Sequence, residues 1–316
     1  MAKVSILIPA RNEPWLARTV EDIFSKARGD IEIIVLLDGY WSDPILQDRP
    51  NLIIIHRSEA RGLRAAVNCM AEVARGEYVM KIDAHCMFAE GFDEVLKKDF
   101  EPNWISVPSR YSLDAEKWER GYGPIEYLYL TFPYNPDKQF GEGLHGKKWI
   151  GEAGVSDRTN PTQYYWMERE RADTKIDDIQ AFQGSCWFMG RKRFLDIGGL
   201  DERFGTFYQE PQEIGFKVWL SGGRMVINKN TWYAHWHKSE SPGYGFVRHK
   251  KHMSFRYSNW YWMNDQWPGA TRKMEEFIAF FWPIPSWPDD WQQQKEKFER
   301  EHPQDFSTPP DLGRGA

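Results

Sequence analysis

Along the first 110 positions apolar residues fall in short unbroken runs, and charged or amide residues fill the intervals between them. The runs are 3–9 (KVSILIP), 31–38 (IEIIVLLD), 52–56 (LIIIH) and 77–83 (EYVMKID). Apolar stretches of this length, rich in Val and Ile, predict strands buried on both faces. Residues 12–27 (NEPWLARTVEDIFSKA) and 62–74 instead carry the pattern of helices. Asn12 is the expected N-cap of the first helix, with Glu13 and Pro14 in its opening turn. Strands alternating with helices predict an α/β fold, a mostly parallel sheet with helices on its faces. Ligands of such sheets gather at the carboxyl ends of the strands. Pro9, Asp38 and Asp83 stand at predicted strand ends, which points to a nucleotide site.

Beyond residue 110 the pattern dissolves. Residues 111–178 are rich in Gly, Pro and aromatics without a sustained period, as expected of functional loops or a lid. Order returns at 181–201 (AFQGSCWFMGRKRFLDIGGLD), a strand and the start of a helix. Residues 213–223 (EIGFKVWLSGG) predict an amphipathic helix stopped by Gly222 and Gly223. A last strand, 224–238 (RMVINKNTWYAHWHK), runs into histidines. The expected organisation is one catalytic domain over 1–267, followed by a helix and a Pro- and Trp-bearing arm over 268–316 that fades into disorder. Within the domain the nucleotide half is expected over 1–110, the irregular acceptor region over 111–178 and the sugar half over 179–267.

Composition narrows the classes. A net charge of −5 and a pI near 6.0 provide no global basic field toward nucleic acid or anionic lipid. Cys69, Cys86 and Cys186 lack metal-type spacing and cannot all pair, which suits a reducing compartment. No stretch has the apolar length of a membrane helix or a signal peptide, so the expectation is a soluble protein of the cytoplasm, the host's if virus-encoded. Aromatic residues make up 16% of the chain, with 16 tryptophans. They are either sugar-binding platforms or an enlarged core.

The chemistry concentrates in KIDAHCMF (81–88). Asp83 and His85, two positions apart at a strand end, are either a solvated turn or two ligands of one cation. The last strand supplies His235 and His237 on one face, since side chains repeat every two residues. Either could complete an Asp–His–His set for Mn²⁺, Mg²⁺ or Zn²⁺. Such an ion would stabilise a leaving diphosphate as a Lewis acid.

The order of segments then becomes informative. SILIPARNEPWLARTVEDI (5–23), IIVLLDGYWSDP (33–44), RSEARGLRAAV (57–67), GEYVMKIDAHC (76–86), GGLDERF (198–204), QEPQEIGFKVWLSGG (209–223), YAHWHK (233–238) and YWMNDQW (261–267) follow one another as in a known family. The chain resembles the GT-A fold of family 2 glycosyltransferases, and is most similar to the polypeptide N-acetylgalactosaminyltransferase group. DAHC, in place of the commoner DxD, is the most specific match. The resemblance implies a hexosyl- or N-acetylhexosaminyltransferase using a UDP-sugar and Mn²⁺ or Mg²⁺. By position it assigns the metal to Asp83, His85 and His235, with His237 the alternative, and uracil recognition to Asp38. It places Arg61 and Arg64 near the donor and Glu210 on the donor sugar. It departs from the family at Leu37, where a second acid is common, and at Pro211, where the base of inverting members would stand. Glu213, one turn on, is the remaining carboxylate, and the missing base implies retention of anomeric configuration. Trp187 and Phe204 either line the sugar pocket or pack in the core.

For the acceptor, residues 246–262 (FVRHKKHMSFRYSNWYW) interleave Arg248, Lys250, Lys251 and Arg256 with Phe255, Tyr257 and Trp260. Cations among stacking rings suit a nucleic-acid phosphate track, with hydroxymethylated pyrimidine in DNA as acceptor, or else a hold on the donor diphosphate or a solvated helix face. Protein Ser/Thr and polysaccharide or cell-wall hydroxyls are the alternatives. A non-catalytic nucleotide-sugar or glycan-binding module and a metal-dependent hydrolase are the competing classes.

Overall fold

The two longest apolar runs form the centre of the sheet: β1 (Val4–Ala10) and β2 (Ile31–Asp38) pair in parallel, and nearly every residue of both is buried. Burial on both faces is why neither strand alternates. A computed structural model describes residues 3–134, 143–149, 173–205, 208–237 and 251–302, with side chains of the last segment from 255 onward. β3 (Leu52–Arg57) extends the parallel set beyond β2, and β4 (Tyr78–Ile82) flanks β1 on its other side. Strand order therefore reverses at β1, and a crevice opens at the carboxyl ends of β1 and β4.

The second half of the sheet is mixed. Next to β4 come β11 (Cys186–Gly190), antiparallel, then β6 (Trp104–Asp114), β12 (Arg224–His235) and β10 (Ile176–Asp178). β12 runs parallel to β6, and β5 (Cys86–Phe88) pairs antiparallel with the end of β12. β7 (Glu119–Arg120) pairs with β6, and β8 (Leu128–Leu130) with β9 (Gly146–Lys148) as a separate hairpin.

Helix α1 (Leu16–Lys26) starts four residues later than its expected cap. Asn12 has φ 51°, a left-handed conformation that asparagine tolerates, and turns the chain as it leaves β1. Helix α2 (Leu63–Val73) follows Gly62, whose φ of 90° a side chain would resist. α3 (Phe92–Lys98) and α4 (Arg191–Asp196) are short. α5 (Glu210–Leu220), expected to be amphipathic, is buried all round except at Pro211. It lies against β6 and β12 on one side and α7 (Met274–Phe281) on the other, so it has no solvent face.

Helix α6 (Lys251–Met263), α7 and α8 (Trp291–Glu301) pack on the same body. Met274, Phe277, Ile278, Phe281, Trp287 and Trp291 join the core that contains β1 and β2. Burying a large apolar side chain contributes about 1.5–3 kcal/mol, so these residues fasten this part of the arm to the domain. Six of the sixteen tryptophans lie in α6 and the segments after it: Trp260, Trp262, Trp267, Trp282, Trp287 and Trp291. Residues 303–316 and much of the 111–178 stretch lie outside the described residues. Among the described residues no helix is long and apolar enough to cross a membrane.

Candidate functional site

Three side chains meet at the crevice because two strand ends converge there. Asp83 and His85 leave β4 in the turn before β5, and the β5–β12 register sets His235 opposite Cys86. The backbone N–H of Trp236 donates to the His85 carbonyl at 3.1 Å, locking the ends together. Residues 150 positions apart thus become neighbours: His85 Nε2 and His235 Nε2 are 3.0 Å apart. Asp83 Oδ2 lies 3.2 Å from His235 Nε2 and 3.8 Å from His85 Nε2. His237, beyond the end of β12, is not in this set; its Nε2 meets Arg110 Nη1 at 3.0 Å.

The donor set fits a divalent cation. One carboxylate oxygen and two imidazole nitrogens converge within a few ångströms, mixed O and N ligands of the kind Mn²⁺ accepts. Burial drives the His235 pKa down to about 3, against the bond to Asp83 that raises it, so the ring is neutral and has a lone pair to offer. Burial opposes charge on Asp83 too, but the Lys81 ammonium and the His235 hydrogen bond outweigh it and hold the carboxyl well below the usual range.

Two residues that the sequence reading did not assign complete the set. Glu13 Oε2 is 3.1 Å from His85 Nδ1, so the carboxylate fixes the Nδ1–H tautomer and turns the Nε2 lone pair toward the crevice. The left-handed turn at Asn12 delivers it. No described group plays this part for His235, whose buried Nδ1 lacks a partner. Lys81, two residues before Asp83 on the same strand face, donates to Asp83 Oδ1 at 2.8 Å and to the Gly184 carbonyl. That leaves Oδ2 facing the two imidazoles. Burial alone would pull the Lys81 pKa down, but Asp83 and Glu210 hold the ammonium up. A lysine inside an apolar strand, in phase with the acid, was the available signal.

The triad and Glu210 line one cavity of about 620 Å³. Glu210, at the start of α5, accepts from Trp187 Nε1 at 2.5 Å and lies 4.0 Å from Lys81 Nζ. Burial pushes its carboxyl up, against the pull of Lys81 and the Trp187 N–H.

Other predicted residues stand elsewhere. Glu213 and Arg64 are fully buried and paired, Nε to Oε2 at 2.9 Å. Lys217 Nζ and the Asp201 N–H also bond Glu213, and Arg64 donates to the Gly205 and Tyr208 carbonyls. Neither lines the cavity. Asp38 accepts the backbone N–H groups of Arg61 at 3.0 Å and Gly62 at 2.7 Å, anchoring the entry to α2. The Arg61 side chain is exposed and meets Glu202 at 3.4 Å. Pro9 lies within β1 opposite Leu36, one residue short of the strand end. Trp187 and Phe204 are core residues, the first supporting Glu210 from behind. Phe204 packs among Tyr257, Tyr261 and Trp262. The proposed phosphate track loses two of its rings: Tyr257 is buried and Trp260 is packed against the core, whereas Phe255, also buried, lines the cavity. Arg248 and Lys250 lie outside the described residues, as does the Lys251 side chain.

Known proteins are similar to this chain in sequence and in fold. Polypeptide N-acetylgalactosaminyltransferase 3 of Mus musculus is 25% identical over 251 residues, 75% of this chain and 37% of that protein. Polypeptide N-acetylgalactosaminyltransferase 5 of Caenorhabditis elegans is 26% identical over 266 residues, covering 77% and 38%. The chain thus spans well under half the length of these curated relatives. Among solved structures, the crystal structure of GalNAc-T7 with UDP, GalNAc and Mn²⁺ aligns with a TM-score of 0.61 at 16% identity, over 96% of this chain and 55% of that one. S. aureus TarS 1–349 in complex with UDP-GlcNAc aligns at 0.54 and 12% identity, over 88% and 71%. Both show the GT-A fold. The family model for glycosyl transferase family 2 matches residues 5–197, well over half of the 316 positions, and the chain belongs to that family.

Proposed function

We propose that this chain is a metal-dependent glycosyltransferase that moves a sugar from a UDP-sugar to a hydroxyl acceptor with retention of configuration. The observation that carries the reading is the Asp83–His85–His235 triad opening, with Glu210, on one cavity at the strand-order reversal. A bound divalent ion would supply Lewis-acid stabilisation to the leaving diphosphate. The chain's own groups do the rest. Glu13 and Lys81 preset the ligand atoms, so little reorganisation accompanies binding. Glu210, held by Trp187, faces the sugar side of the cavity, and the irregular segments supply its rim.

The described lining of the cavity supports retention. Among the described residues that line it, the carboxylates are Asp83 and Glu210. The first belongs to the metal site and both face Lys81. Glu213, the other candidate base, is enclosed with Arg64 and Lys217, so no described carboxylate is placed to deprotonate an acceptor in line with an inverting attack.

The relatives' names specify a polypeptide acceptor, so a Ser or Thr hydroxyl is the acceptor we propose. Residues 1–267 act as the catalytic domain, with 268–302 packed on it. The test is a product assay: protein, Mn²⁺ and a panel of UDP-sugars, with a mixed Ser/Thr peptide pool and hydroxymethylated DNA, read by mass. A sugar-sized shift on peptide, absent in Asp83→Ala and His85→Ala, supports the reading. A shift on DNA displaces the acceptor assignment. UDP release without an acceptor product makes the chain a hydrolase, and donor binding without either makes it a binding module.

A further inference from the structure

The cavity has a second polar centre beside the triad. Arg110 projects from β6, where its backbone is paired with Tyr233 of β12, two residues before His235. Its side chain lines the cavity and the residue is 7% exposed. The one hydrogen-bond partner of its guanidinium among the described residues is His237, an imidazole at 3.0 Å. No carboxylate of the described residues pairs with it. Lys148, at the end of β9, lines the same wall, with its ammonium 5.6 Å from the Tyr122 ring and again no carboxylate partner. A buried guanidinium without a counter-ion is costly, and chains retain one where a ligand supplies the charge.

The charges of the wall agree. The described lining holds Asp83 and Glu210 against Lys81, Arg110 and Lys148. Both acids face Lys81, so the described lining has one cation more than it has acids, and Arg110 and Lys148 have no carboxylate partner among the described residues. A divalent ion on the triad increases the positive excess of the described lining, which an anionic ligand would offset.

We propose that Arg110, Lys148 and His237 form an oxyanion subsite next to the metal triad, which takes a phosphoryl or carboxylate group of the bound substrate. Arg110 offers a planar fork suited to two oxygens of one such group, and His237 fixes the orientation of that fork. The oxyanion has two possible sources, the distal phosphate of the donor's diphosphate or an acidic group beside the acceptor hydroxyl. The subsite rests on the transferase reading for its purpose, but its test reads binding rather than turnover, so the two can fail separately.

The experiment is calorimetric titration of the Mn²⁺-loaded full chain with UDP, UMP and, after saturation with UDP, inorganic phosphate. Arg110→Met and Lys148→Met are compared with wild type, and Lys192→Met, an exposed change on α4, is the control. Lys148 is only half-buried, so its variant keeps the test valid if Arg110→Met fails to fold. Charge-assisted hydrogen bonds of this kind correspond to roughly 10–100-fold in Kd. Loss of that size for UDP, with UMP little changed, supports the subsite with the donor as source. UDP affinity unchanged, but phosphate binding to the UDP complex lost, supports it with the acceptor as source. UDP and phosphate binding the same in both variants as in wild type overturns the proposal.

Discussion

Arg64→Met separates two readings of one residue. The sequence pattern puts Arg64 beside the donor, whereas the structure encloses it with Glu213 and the carbonyls of Gly205 and Tyr208. Methionine fills similar space but removes the charge and all three hydrogen bonds. Breaking a buried ion pair costs about 3–5 kcal/mol, and the lower end applies because Glu213 keeps Lys217 and the Asp201 N–H. An unfolding entropy of about 2.1 cal/mol/K per residue gives roughly 0.7 kcal/mol per degree for 316 residues. The expected fall in Tm is then about 4–5 °C, measured by circular dichroism. UDP affinity, measured by calorimetry on the folded variant, should change by less than threefold, apart from any loosening of the loop that leads to Glu210. Arg64→Lys should recover part of the loss, since an ammonium can reach Glu213 but not both carbonyls with it. An unmoved melting curve with UDP affinity lowered tenfold or more would refute the reasoning and return Arg64 to the donor.

Three further outcomes are expected. Trp187→Phe removes the N–H that lowers the Glu210 pKa, so the acid limb of the pH–rate profile should move to higher pH and kcat should fall; an unchanged profile excludes Glu210 from the titration. Metal-free protein should lose stability as pH falls from about 6.5 toward 3, because unfolded His235 takes up a proton that the buried ring, with a pKa of about 3, refuses. Thermal melts in EDTA should show that slope, and His235→Asn should flatten it. Asp38→Ala strips the acceptor from the Arg61 and Gly62 N–H groups, for a loss of about 1–2 kcal/mol seen as a lower Tm; a tenfold loss of UDP affinity with Tm unmoved would instead put Asp38 on the nucleobase.

What was legible follows from which interactions are local. β1, β2 and α2 announce themselves because strand burial and helix period are written in adjacent residues. The triad was legible in two steps, Asp83 and His85 from a strand end and His235 from a second strand. Its contact across 150 positions, however, depends on the β5–β12 register, and a three-residue strand carries too few positions to declare one. Glu13 was in view as a helix-start acid. Its role was hidden because a left-handed Asn12 moved the helix start to Leu16 and aimed the carboxylate at His85 instead. Arg64 and Glu213 show the opposite failure. Each sits in a segment whose neighbours point toward a ligand, and only the packing of α5 on all sides decides that they neutralise each other. Charged residues at a predicted site are therefore divided by burial with or without a protein counter-ion. That criterion removes Arg64 and Glu213 from the cavity, and it singles out Arg110, which the sequence pattern had passed over.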